Sequence, residues 1–116
     1  MDYLKDKDLD KINNWLIDLR TYWLNKDVDK IVSLFDTTCE CYDTPFSSNG
    51  NVREDWAEIK TQKIKDISYK VLMSDGCEFF VEFSIRYNDE LCDAINHIKL
   101  NNNMKCTYLK QWYMCK

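Results

Sequence analysis

Six cysteines and a single histidine are the residue types in this chain best able to bind a metal or move electrons, so their spacing decides which chemistry is open. Cys39, Cys41, Cys77, Cys92, Cys106 and Cys115 include no C-x-x-C pair, and His97 stands alone. The ligand set of a zinc site is therefore missing, and no metal or other cofactor is expected. Cys39 and Cys41 could act as a redox pair, but neighbouring positions on one strand face are poorly placed for a disulfide. All six are read as small apolar residues carrying reduced thiols. Asp43 alternates with Cys39 and Cys41 along one side of a short strand over 38–43, and Asn96 alternates with Ala94, Ile98 and Leu100 along another. His97 falls on the side opposite Asn96, so an Asp43–His97 dyad is not expected.

Those positions matter only if the surrounding elements bring them together. Leu9, Ile12, Leu16, Leu19 and Trp23 recur at steps of three and four, which predicts a first helix over 8–25 with Trp15 and Tyr22 widening its apolar stripe. Asp27 can cap a second helix whose buried face is Val28, Ile31, Val32 and Phe35. After the strand holding Asp43 comes the turn-forming run 44–50; Asn51 with Glu54 then resembles a capping box opening a third helix, with Trp56, Ile59 and Lys63 on one face. The rest reads as a meander. Ile67, Tyr69, Val71 and Met73 alternate up to an Asp75-Gly76 hairpin, and Phe79, Val81, Phe83, Ile85 and Tyr87 line one face of the next strand. A strand from Leu91 to Leu100 and a last one from Met104 to Cys115 follow. That last strand is apolar on both faces, which leaves its inward register open.

Helices segregated from a mainly antiparallel, hairpin-connected sheet define a single α+β domain over 1–116. Three helices pack on one face of a curved sheet around an apolar pocket. With two Gly and one Pro the chain has no linker or low-complexity stretch. A net charge of −4 with scattered lysines disfavours nucleic acid and anionic membranes as partners. The charged start, 1–8, has no apolar run and no segment reaches the length of a membrane span, so a cytoplasmic location is expected.

Ile31-Val32-Ser33-Leu34-Phe35, then Tyr42-Asp43-Thr44-Pro45, then Arg53-Glu54-Asp55-Trp56, with Trp112-Tyr113 near the end, resemble the NTF2-like superfamily. The likeness is greatest to its SnoaL-like and ketosteroid isomerase-like branch. The resemblance implies a cystatin-like cone whose pocket serves isomerases, cyclases, dehydratases and non-enzymatic binding proteins alike. It also implies that Asp43, eight residues after Phe35, stands where the isomerases keep a general base. A carboxylate at the rim of an apolar cavity has its charged form disfavoured, which raises its pKa toward a useful range. Here Thr44 separates Asp43 from Pro45, a departure from the isomerase pair. The two oxyanion donors of the isomerases fall, by ungapped counting, on Leu19, which cannot donate, and on Asn96, which can. Because losing one such donor costs on the order of a hundredfold in rate, a steroid-type isomerase is not expected unless Tyr22 or Trp15 takes the place of Leu19.

The function these residues predict is a pocket protein binding a small, mostly apolar molecule between Trp15, Leu19, Trp56, Phe83 and Asn96, with Asp43 at the polar end. Two alternatives stay open. One is an isomerase- or cyclase-type enzyme using Asp43 as general base without a metal. The other is a non-catalytic homodimeric interaction module with a vestigial pocket, joined through an outer-face patch at Ile95, Leu109 and Tyr113. Each named residue also has a plainer role: Asp43 capping the turn before Pro45, Asn96 satisfying a backbone group, and the aromatic residues simply filling a core.

Overall fold

The computed structural model describes the backbone of residues 3–44, 51–88 and 90–115 and the side chains of 7–42, 51–88 and 90–114. Most of the turn-forming run 44–50 lies outside the described residues, as does Asp89 in the turn after Tyr87.

Helix α1 spans Tyr3–Leu24 and buries Ile12, Trp15, Leu16, Leu19 and Trp23, while Leu9 is exposed, so the stripe begins one turn later than the spacing implies. It ends where Lys26 takes a positive φ of 56° and the Asp27 amide donates back to the Tyr22 carbonyl at 2.9 Å, a left-handed C-terminal cap. The Asp27 carboxylate then accepts from the Lys30 amide at 3.2 Å and starts α2, Val28–Val32. Phe35 is not part of that helix; it opens β1, Phe35–Thr44. Asn51 caps α3, Val52–Ala57, by accepting from the Arg53 and Glu54 amides, and a single 3₁₀ turn, Glu58–Thr61, ends this helical segment before Lys63.

Strands β2 (Ile64–Asp75), β3 (Glu78–Tyr87), β4 (Leu91–Leu100) and β5 (Cys106–Cys115) form antiparallel neighbours in that order. Gly76 in the first turn has a φ of 61°, the left-handed conformation that Asp-Gly supplies. β1 adds to the free side of β5 in parallel, giving the order β1-β5-β4-β3-β2. Its register slips between Phe35 and Glu40. There the Asp36 carboxylate accepts from the Thr38 amide (3.0 Å), the Thr38 hydroxyl (2.7 Å) and the Asn101 amide (3.2 Å), holding the extra β1 residues in place.

The bulge that decides the last strand lies on β5. Leu100 pairs with Cys106 but Lys99 pairs with Tyr108, so one residue is extra and the side-chain parity flips. Cys106 is buried, and beyond the flip Leu109, Gln111 and Tyr113 face the helices. The expected outer patch is corrected accordingly: Leu109 and Tyr113 point inward, and the residue opposite Ile95 is the exposed Trp112. The thiol expectation is corrected as well. Cys92 is disulfide-bonded, its backbone level with Cys115, whereas Cys39, Cys41, Cys77 and Cys106 are free thiols. No helix among the described residues is long and apolar enough to cross a membrane.

Candidate functional site

Two rows of backbone-paired residues cross the sheet. One runs Phe79, Ile98, Leu109, Cys41, and the next Val81, Asn96, Gln111, Asp43. α1 packs over β2 and β3, with Trp15 against Phe79 and Trp23 against Phe83, and meets the start of β1 where Trp15 lies on Phe35; the helical segment beside the rest of β1 is α3 with its 3₁₀ turn. A six-residue helix is roughly 9 Å long against roughly 33 Å for a ten-residue strand, so that part of the face is left uncovered. The result is a cavity of about 530 Å³, partly open to solvent.

Its walls come from every layer. Trp23 closes it from α1, Val52, Trp56 and Ile59 from the α3 segment, Cys41 and Tyr42 from β1, Ile85 and Tyr87 from β3, and Leu109, Gln111 and Tyr113 from β5. Trp23 and Trp56 meet edge to face with ring centroids 4.9 Å apart, and Trp23 meets Phe83 at 5.6 Å, so this wall is a rigid aromatic block. Asp55 and Glu58 supply carboxylates at the mouth.

The polar feature of the wall is a pair of phenols, Tyr87 Oη and Tyr113 Oη, 3.2 Å apart and half-buried. Whichever hydroxyl donates to the other, the acceptor keeps a proton that it can offer to a ligand oxygen. Burial, followed by the Tyr113 hydroxyl, pushes the Tyr87 phenol above its ordinary value of 10.0, so Tyr87 stays protonated in neutral solution. On the opposite wall the Cys41 thiol is pushed up by its hydrogen bond with Cys39, then by burial and by the negative charge of Asp55. Among the described residues two buried donors, Trp23 Nε1 and Asn96 Nδ2, have no protein partner. Each such group costs roughly 1–3 kcal/mol, and both lie where the packed core gives way to the cavity.

The residues predicted to line the pocket separate into two groups. Trp56 is on the cavity wall. Trp15 (3% exposed), Leu19 (1%) and Phe83 (2%) are core, and the Trp15 indole N–H donates to the Leu34 carbonyl at 3.2 Å with Phe35 and Phe79 against its ring. Asn96 is buried one strand behind the wall, level with Gln111. The backbone of Asp43 is level with Gln111 from the other side; its side chain lies outside the described residues. His97 is on the convex face, its Nε2 2.6 Å from Glu78 Oε2 and its ring stacked on Phe80. Among the described residues no group of His, Cys, Asp and Glu is arranged to hold a metal ion. The wall residues that spacing missed are Trp23, Tyr87, Gln111 and Tyr113. Trp23 and Tyr87 were visible as ends of apolar stripes, whereas the β5 pair was hidden by the bulge.

By sequence, no family model matches the chain and no curated protein does. Solved structures match over nearly its whole length. An NTF-2 like protein of unknown function from Burkholderia xenovorans LB400 superposes with a TM-score of 0.72 at 17% identity, covering 90% of this chain and 83% of that one. The fold is NTF2-like. SalBIII, an epoxide hydrolase/cyclase-like enzyme in pyran ring formation in the polyether salinomycin, gives a TM-score of 0.76 at 15% identity over 90% and 92% of the two chains. A steroid delta-isomerase from Pseudomonas aeruginosa gives 0.65 at 16% identity over 90% and 80%. An NTF2-like cone thus accommodates chemistries as different as these two, and the cavity residues of this chain must carry any functional argument.

Proposed function

We propose that this NTF2-like protein binds a small, mostly apolar molecule in the cavity beneath α3. The ligand's polar group lies toward the stretch of β5 and β1 that carries Tyr113, Gln111 and Asp43. The Tyr87–Tyr113 hydroxyl pair, set among Trp23, Trp56, Ile85 and Leu109 in the cavity wall, is the observation that carries this reading. The volume falls in the range of roughly 300–1,000 Å³ usual for small-molecule sites, and a few placed polar groups in an apolar lining are what such sites need. Asp43 acting as a general base on the bound molecule is the enzymatic form of the same reading, and its backbone position beside Gln111 is compatible with it.

Titration with naphthalene and with naphthol, followed by tryptophan fluorescence, tests this directly because Trp23 and Trp56 are in the wall. Saturable changes are expected with both, and naphthol should bind about fivefold tighter, the equivalent of one hydrogen bond of about 1 kcal/mol. That advantage should vanish in Tyr113→Phe. No saturable signal with either compound would remove the reading.

A further inference from the structure

Where β1 slips against β5, three sulfur atoms meet. Cys39 Sγ lies 3.6 Å from Cys41 Sγ and 3.8 Å from Cys106 Sγ. Cys106 is fully buried and its thiol donates to the Tyr108 carbonyl at 3.3 Å, Cys41 is nearly buried, and Cys39 is half-exposed. A reagent arriving from solvent therefore meets Cys39 first. We infer that Cys39 and Cys106 form an oxidative modification site, at which a hydroperoxide converts the two thiols into a disulfide joining edge strand β1 to β5.

Geometry selects the partner. Cys41 is marginally closer to Cys39, but two positions along one strand place the Cα atoms roughly 6.6 Å apart, at the far end of what a disulfide spans. Cys106 sits on the neighbouring strand, within the irregular stretch where Phe35 pairs with Cys106 and Glu40 with Tyr108, so the backbone there is not held by a regular ladder. Bringing the sulfurs from 3.8 Å to a bond of about 2.05 Å takes rotation of two short side chains.

The chemistry balances with the peroxide as the named oxidant. The Cys39 thiolate attacks one peroxide oxygen, the O–O bond breaks, and the leaving hydroxide is protonated to water, which leaves a sulfenic acid on Cys39. Cys106 sulfur then attacks Cys39 sulfur; the S–S bond forms, the S–O bond breaks, and the departing hydroxide takes the Cys106 proton as a second water. Two thiols lose two electrons in total and the peroxide gains them. The pace follows from the thiol itself. Its hydrogen bond with Cys106 and its burial, opposed by the hydrogen bond with Cys41, push Cys39 up to about 12. Little thiolate exists in neutral solution, so the reaction is slow and accelerates about tenfold per pH unit. Oxidation also takes away the sulfur that partners Cys41 on the cavity wall, which ties the modification to the pocket's lining without depending on what the pocket binds.

The test uses the full chain, unreduced so that the Cys92 bond persists, treated with hydrogen peroxide, alkylated and mapped by mass spectrometry without reduction. The expected product links Cys39 to Cys106, with Cys77, a free half-buried thiol elsewhere, still alkylated. Cys41→Ser should keep the link and Cys39→Ser should abolish it. The proposal is overturned by a Cys39–Cys41 or Cys41–Cys106 link, by Cys39 proceeding to sulfinic acid, or by Cys39 remaining alkylatable as long as Cys77 does. The map of the unsubstituted chain decides among these even where a variant fails to fold.

Discussion

Over β2 and β3 the concave face is covered by α1, which is 22 residues long, whereas beside β1 beyond Phe35 the helix is α3, which is 6. The first half is solid: Ile12, Trp15, Leu16 and Leu19 form one buried cluster with Phe79, Val81, Phe83 and Ile98, each 3% exposed or less. The second half is hollow, and none of the α3 residues is buried. Both halves are rich in aromatic residues, so composition does not separate them; helix length does. The backbone-paired row Val81, Asn96, Gln111, Asp43 crosses the boundary, and its residue types turn from apolar to polar on the way. Water or a ligand can satisfy polar groups there, while in the packed half they would be stranded.

Truncation at matched positions is the strongest way to break this comparison. Phe79→Ala in the solid half should cost about 3–5 kcal/mol in denaturant unfolding and leave naphthol affinity unchanged. Trp56→Ala in the hollow half, where one side of the ring already faces open space, should cost about 1–2 kcal/mol yet weaken naphthol about tenfold. Equal stability losses would mean that the cavity is filled in solution. A smaller effect is expected at the boundary. Asn96→Leu replaces a buried amide whose Nδ2 has no partner among the described residues with an apolar group of similar size, so stability should rise by about 1 kcal/mol. A loss instead would show that the amide is used by a bound water or ligand.

The solid half was legible because its signals are periodic. The α1 stripe, the Phe79 to Ile85 alternation and the inward face of β4 all follow from spacing, and Asn96 was placed on the correct face by alternation alone. The hollow half was not. A single extra residue on β5 reverses the side on which Leu109, Gln111 and Tyr113 fall, and no local composition marks where such a bulge sits. Spacing therefore assigns to the pocket, beside Trp56 and Asn96, the core residues Trp15, Leu19 and Phe83, whose aromatic and apolar character suits a core and a ligand wall equally. What separates the two uses is the length of the helix overhead, a property of the whole chain. Parallel pairing of β1 with β5 was illegible for the same reason, since it joins segments with the entire meander between them.

The finest distinction between the halves is electrostatic, and Tyr113→Phe isolates it. Among the described residues of the solid half the Trp15 donor is satisfied by backbone, whereas in the hollow half one of the Tyr87 and Tyr113 hydroxyls donates to the other and the second proton is left for a ligand. Because Tyr87 is raised above its ordinary 10.0 in the folded state, the stability linked to it is fully present below about pH 10 and is lost as pH climbs through the folded value. Cys39 behaves likewise from 9.0 up to about 12, so alkaline unfolding of the unsubstituted protein should begin near pH 9, from this half of the molecule. Removing the Tyr113 hydroxyl deletes the second and third causes of the Tyr87 shift, its hydrogen bond and its charge, and leaves burial, the first, with the negative charge of Glu90. In neutral solution the variant should lose about 0.5–1 kcal/mol, the net worth of one hydrogen bond, and ultraviolet titration should show one phenol ionising at lower pH than before. If that phenol titrates unchanged, the two hydroxyls do not share a proton, and the polar end of the cavity would have to be sought at Gln111 instead.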